Sequence, residues 1–180
     1  SERLEAKIHH ARLLSSIFGA WEESIDFYEE AVVEAKSLGK ARDELEILCE
    51  LGICYGAVRQ TNLSTRRFNQ AIDLARSTGN TEDLISILSQ VLDAGSQQSN
   101  EEQFPLHATE YYKLAKSSGD YLNRIQSVGY LIDYYGYMQN PDSTIHYMNE
   151  GFQIKDSVEN RVSKLRYLSF LRNCFNAANN

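Results

Sequence analysis

Residues 48–71 read LCELGICYGAVRQTNLSTRRFNQA, and this stretch decides the fold. Leu48, Leu51, Gly52 and Tyr55 stand at helical spacing, followed after a short break by Ser64, Phe68 and Ala71, again at helical spacing. In each set a small residue lets two helices approach, and a large one fills the gap beyond it. Outward from this stretch the chain repeats. Gly39-Lys40, Gly79-Asn80 and Gly119-Asp120 are spaced by 40 residues, each closing a run of apolar residues at i, i+3, i+4 and i+7. Glycine just past the last turn can take the left-handed conformation that ends a helix. A fixed period of this size is the mark of stacked helical repeats.

The pattern holds inside the repeats. The first gives Ile8 and Ala11, then Ser24, Tyr28 and Ala31; the fourth gives Val128, Leu131 and Tyr135, then Thr144, Met148 and Gly151. In the third, Leu88 and Val91 keep register, but Gly95 replaces the aromatic residue, and Ala108, Tyr112 and Ala115 come four residues late. The polar stretch from Ser96 to Gln103 accounts for the slip, which is about one helical turn and so preserves the buried face. Pro105 and Pro141 each lie three residues before the small residue of a second helix, where proline suits the first turn. Leu168, Leu171 and Phe175 continue the register of Leu48, Leu51 and Tyr55 as a fifth half-repeat. The expectation is a single all-α domain over 1–180 with repeats at 1–40, 41–80, 81–120 and 121–160 and a half-repeat or capping helix at 161–177. Its nine helices are predicted at 2–17, 21–38, 42–58, 63–78, 81–97, 105–118, 121–138, 141–157 and 160–176.

The L-x2-L-G-x2-Y and S-x3-F-x2-A runs of the second repeat resemble the tetratricopeptide repeat (TPR) pattern, here in an extended 40-residue form similar to that of bacterial TPR-containing regulators and sensor kinases. Ile154-Lys155-Asp156-Ser157-Val158 resembles the ending of the last repeat in such proteins. The resemblance implies a right-handed α-solenoid of antiparallel helix pairs and a protein–protein interaction role, as the sensory or scaffolding part of a bacterial signalling protein.

Composition narrows the function classes. The 180 residues carry 18 basic and 25 acidic side chains, a formal charge of −7, which argues against nucleic acid as a partner because phosphate contacts need clustered Lys and Arg. No run reaches the ~18 apolar residues of a membrane span and no signal peptide opens the chain, so membrane insertion is not expected. The chain begins at Ser1 rather than Met and reads as an excised piece, expected in the cytoplasm, with the periplasm as the other compartment. Cys49, Cys54 and Cys174 are too few for a disulfide scaffold, and the first two point ~140° apart on a helix. His9 and His10 are ~100° apart and cannot chelate one metal as an i, i+4 pair would. No phosphate-binding loop, dinucleotide fingerprint or zinc motif occurs. No enzyme activity, cofactor or metal is expected. Glu22, Glu23, Asp26, Glu29, Glu30 and Glu34 read as a solvated helix face.

The first helix of each pair builds the concave face of such a stack. Repeat register puts His9, His10 and Leu13, then Glu46, Cys49, Glu50 and Ile53, then Ser89, Gln90, Asp93 and Gln97, and last Gln126, Tyr130, Asp133 and Tyr137 on that face, without a Lys or Arg. The expected site is an acidic, Tyr-lined groove for a neutral or basic peptide or helix, with Glu46, Glu50, Gln90, Asp93, Gln126, Tyr130, Asp133 and Tyr137 as its partner-binding residues. Eight of the eleven tyrosines fall between Tyr111 and Tyr147, which adds an expected interface there. The last helix carries a wide apolar stripe. Leu165, Tyr167, Leu168, Phe170, Leu171 and Phe175 are expected to form an oligomer or domain interface. The alternative reading is a regulatory segment that forms a homodimer through this helix, leaving the groove passive.

Overall fold

A computed structural model describes residues 2–95 and 103–156. Among them are eight helices: α1 (Glu2–Ser16), α2 (Trp21–Ser37), α3 (Ala41–Ala57), α4 (Thr61–Thr78), α5 (Thr81–Gly95), α6 (Phe104–Ser118), α7 (Tyr121–Tyr137) and α8 (Pro141–Asp156). All eight expected helices in this range are present, with ends shifted by at most two residues. The ninth, at 160–176, lies outside the described residues. The chain divides into two compact units, Ser1–Ser99 and Asn100–Asn180. Their boundary falls in the polar stretch that displaces the third repeat in the sequence.

The backbone makes the period visible. Left-handed φ values occur at Gly19, Gly39, Arg59, Gly79, Gly119 and Gln139, all on one grid of 20 residues. Six helices, α1 to α4, α6 and α7, are thus closed by one residue of reversed handedness before the next begins. Where the helix ends at 37, 57 and 137, the amides of Lys40, Gln60 and Asn140 reach back to the carbonyls of Ala35, Tyr55 and Tyr135 at 3.0, 2.8 and 2.9 Å. Starts are fixed by side chains at three of the six turns, by Asn80 before α5 and by the following two. Asp120 Oδ1 accepts from the Asn123 amide at 2.7 Å, and Asn140 Oδ1 from the Ser143 amide at 3.1 Å. Arg59 and Gln139 hold a conformation that costs an L-residue roughly 1–2 kcal/mol. Arg59→Gly is therefore expected to stabilise unit 1 by about 1 kcal/mol, less the entropy glycine adds to the unfolded chain. A urea denaturation midpoint below that of wild type would contradict this.

In unit 1, α1 packs on α2, α2 on α3, α3 on α4, and α5 on both α3 and α4. The seven defining residues of the L-x2-L-G-x2-Y and S-x3-F-x2-A runs, Leu48, Leu51, Gly52, Tyr55, Ser64, Phe68 and Ala71, are all buried. Gly52 is necessary there, because a Cβ at this position would lie 2.4 Å from Cε1 of the Phe68 ring. The small polar residue opening each second helix is also an interhelix tie. Ser24 Oγ donates to the Ala11 carbonyl at 2.8 Å, and Ser64 Oγ to the Gly52 carbonyl at 2.7 Å. Both hydroxyls are buried and satisfied, so close helix approach and hydrogen bonding are met by one residue.

Glu29 departs from the expected solvated face. Its carboxylate accepts two bonds from Arg67 Nη2, at 2.6 and 2.8 Å, and one from the Tyr55 hydroxyl at 2.8 Å. This ties α2 to α3 and α4. Glu30 and Glu34 pair with Lys7 across to α1.

Unit 2 packs α6 on α7 and α7 on α8. Val128, Ile132 and Ile154 form a buried cluster, with Tyr112, Tyr121, Ile125, Tyr147 and Met148 against it. Tyr112 also donates to Glu150, and Lys116 Nζ lies 3.0 Å from the same carboxylate. These bonds hold α8 to α6. Tyr111 is fully buried as well, its hydroxyl 3.1 Å from Asn123 Oδ1. Among the described residues no helix is long and apolar enough to cross a membrane.

Candidate functional site

The most site-like feature of unit 1 is a cleft of about 280 Å³ lined by α1, α3 and α5. These are first helices, the side on which repeat register puts the groove. Three of the expected groove residues, Glu46, Glu50 and Gln90, line it together. The fourth from unit 1, Asp93, is exposed further along α5. Glu82 and Asp83 enter from the first turn of α5, which is set by Asn80. The Asn80 Oδ1 accepts from the Glu82 amide at 3.0 Å, and its Nδ2 donates to Asp83 at 2.9 Å.

One expectation is corrected here. The lining includes two cations, Arg12 and Arg42, although register reading gave no Lys or Arg. Arg12 lies 3.5 Å from Glu50 and 3.9 Å from Glu46, and Arg42 lies 3.9 Å from Glu46. The signal was present in the spacing. Arg12 follows the groove position His9 by three residues, and Arg42 precedes Glu46 by four, so each shares a helix face with a groove residue. The cleft still has four carboxylates against two guanidiniums.

The ion pairs of the cleft differ in kind from the Glu29–Arg67 pair. At 3.5–3.9 Å they are longer than the ~2.7–2.9 Å of a closed charge-assisted hydrogen bond. Glu46 and Glu50 therefore keep acceptor capacity. Burial raises the Glu50 carboxyl above its ordinary range, with neighbouring Glu46 adding to this and Arg12 opposing it. Below α3's exposed face, the Cys49 thiol is pushed up to about 12 and the Cys54 thiol to about 11, in both cases mainly by burial. Both are free and buried, so they act as small apolar side chains and not as nucleophiles. Cys49 is therefore beneath the groove surface rather than on it.

In unit 2 the four expected groove residues on α7 separate. Tyr130 is only 8% exposed, packed edge-on to Phe104 at 6.2 Å and tilted against Tyr111 at 6.0 Å. Gln126 is bonded to both tyrosines, donating to Tyr130 at 2.9 Å and accepting from Tyr111 at 3.3 Å. Tyr130 is thus a core residue of the unit and not a surface anchor, because Phe104, outside the sequence motif, supplies the ring it packs on. Asp133 is exposed and Tyr137 is 70% exposed, with exposed Met138 beside it. The tyrosine concentration is spent largely inside the unit. Tyr135 stacks on Tyr147 at 5.6 Å, and Tyr147 meets Tyr112 edge-on at 5.7 Å. Leu165, Tyr167, Leu168, Phe170, Leu171 and Phe175 lie outside the described residues.

His9 and His10 are exposed on α1, with His10 edge-on to Phe27 at 4.5 Å. Among the described residues no three His, Cys, Asp or Glu side chains converge as a metal site.

No protein-family model and no curated protein matches the chain. Among solved structures it is similar to the nearly identical TPR-like repeats of a protein designated a kinesin light chain from Podosopora anserina. That match has a TM-score of 0.74 and 15% identity, covering 97% of this chain and 86% of the other. At that identity the likeness speaks to fold alone. With the all-helical element order, the 20-residue grid of reversals and the buried motif residues, the chain has a TPR-like all-α repeat fold.

Proposed function

We propose that this chain is a protein–protein interaction module whose unit 1 cleft takes a peptide or helix presenting a basic side chain. The observation that carries this is the state of Glu46 and Glu50: carboxylates paired at 3.5–3.9 Å, in a cleft where acids outnumber bases. An incoming ammonium or guanidinium would offset by charge and hydrogen bonding the hydration that Glu50 has lost, whereas an acidic ligand would be repelled. Gln90 adds an adaptable amide at the same wall. The resemblance to bacterial TPR regulators supports placing the module in a signalling protein, as its sensory or scaffolding part.

Selection of a random peptide library on the immobilised protein tests this. Wild type should enrich peptides with Lys or Arg at one position. Glu50→Gln should weaken a chosen peptide about tenfold, or ~1.4 kcal/mol, and Glu50→Lys should turn the preference toward Asp or Glu. Identical peptides for wild type and the charge reversal would sink the proposal.

The raised Glu50 pKa sets the pH response. Folding favours the protonated form, so Glu50's stabilising contribution is full below the ordinary carboxylate range and is lost as pH rises through the raised value. A bound cation has the opposite preference. Peptide affinity should therefore rise with pH through that range in wild type and lose this dependence in Glu50→Gln, as read by calorimetry in two buffers of different ionisation enthalpy.

A further inference from the structure

The first helices of unit 1 share one register, in which Arg12 of α1 is equivalent to Gly52 of α3 and Leu92 of α5. Gly52 and Leu92 are buried. At the same place α1 carries a long cation whose side chain is 49% exposed. Its head lies against the α3 wall of the cleft, with Nε 3.5 Å from Glu50 Oε1 and Nη2 3.9 Å from Glu46 Oε2. One guanidinium therefore spans the two carboxylates on which recognition of a basic side chain rests. Arg42 differs, because it stands on α3 itself, four residues before Glu46, and is 80% exposed.

The Arg12 contacts are loose. With neither carboxylate does Arg12 come as close as Arg67 does to Glu29, at 2.6 and 2.8 Å. Ion pairs this long and this exposed contribute little, because water screens them and the freed side chain regains its rotamers. Release needs only rotation about the bonds of the Arg12 side chain, with α1 left in place. The position on Glu50 and Glu46 is thus filled by a cation that is easily moved.

We propose that Arg12 is a built-in competitor for the cleft: its guanidinium holds the place that a ligand's cationic side chain takes, and binding turns it out into solvent. This rests on the reading of the cleft as a site for a basic side chain, and it narrows the ligand. Exchange is favourable only for a group that comes closer than the 3.5 Å of Arg12. An arginine of a partner peptide fits, since its planar fork can lay two N–H groups on one carboxylate.

The test is an NMR titration with the peptide acetyl-Gly-Gly-Arg-Gly-Gly-amide at about 0.15 M salt, where charges beyond a Debye length are screened. Arg12→Gln should bind it about three- to fivefold more tightly than wild type. Arg3→Gln makes the same change of charge at an exposed site nine residues earlier, on the opposite side of α1, and should leave the affinity within about 1.5-fold. In wild type the Arg12 Nε–Hε resonance should move on saturation toward that of a free arginine. The proposal is overturned if Arg12→Gln binds no more tightly than Arg3→Gln, or if that resonance stays in place at saturation. Should Glu50→Gln still weaken binding in that case, the cleft reading stands and the competitor alone falls. A peptide that binds wild type and Glu50→Gln equally, or binds none of the four proteins, overturns both.

Discussion

Gly52→Ala is expected to destabilise unit 1 by about 2–3 kcal/mol and to lower its midpoint of thermal unfolding by on the order of 10 °C. On an exposed helix the same change would stabilise by up to ~1 kcal/mol, because alanine is the better helix former. Here the added carbon would sit 2.4–2.7 Å from three atoms of the Phe68 ring. That ring is itself buried between α3 and α4, and Ser64 binds the Gly52 carbonyl next to it at 2.7 Å. Neither helix can retreat without breaking that bond. The clash therefore exceeds the gain in propensity. Adding Phe68→Leu to Gly52→Ala should recover about 1–2 kcal/mol relative to simple addition of the two single effects. Strict additivity in a double-mutant cycle would show that the glycine is not there for the ring.

The second large effect is expected at Glu29. Glu29→Ala should cost about 2 kcal/mol, since it removes the partner of the Tyr55 hydroxyl and the counter-charge of Arg67, leaving that guanidinium only its bond to Gln70. Removing one partner of a fully buried pair costs about 3–5 kcal/mol. Both side chains here keep part of their exposure, 21% and 30%, so a smaller loss is expected. Tyr55→Phe should cost only about 1 kcal/mol, because Glu29 retains its two bonds to Arg67. Replacing both charges, as Glu29→Leu with Arg67→Met, should recover most of the loss, since two apolar side chains need no partner. A double variant less stable than Glu29→Ala alone, by chemical denaturation, would refute the assignment of the cost to the stranded cation.

Glu29 and Glu50 together show why charge alone did not reveal the site. Both stand on amphipathic helices among other acids, and nothing in the sequence separates them. In the structure one has both oxygens bonded to Arg67 Nη2, at 2.6 and 2.8 Å, and ties three helices, while the other faces an arginine at 3.5 Å in a cleft. The distinction lies in where Arg67 and Arg12 reach, 38 residues away in the first case and 38 in the second.

The sequence by itself determined the repeat: its period, its helix ends and its buried motif. Each of these is local, because helix closure depends on a few consecutive dihedrals and the apolar stripe on a spacing of three or four. It also showed the slip of register at the polar stretch, but within an expected single domain; the division into two units there comes from the structure. Tertiary structure alone decided which side chains meet. Tyr130 belongs to the surface by register and to the core by its contact with Phe104, a residue outside the motif. Arg12 shares its helix face with His9, but only the structure shows it reaching across from α1 to Glu46 and Glu50 on α3. A long side chain spans more than the width of a register position, so the position of its Cα fixes the face of the helix but not the partner at its tip.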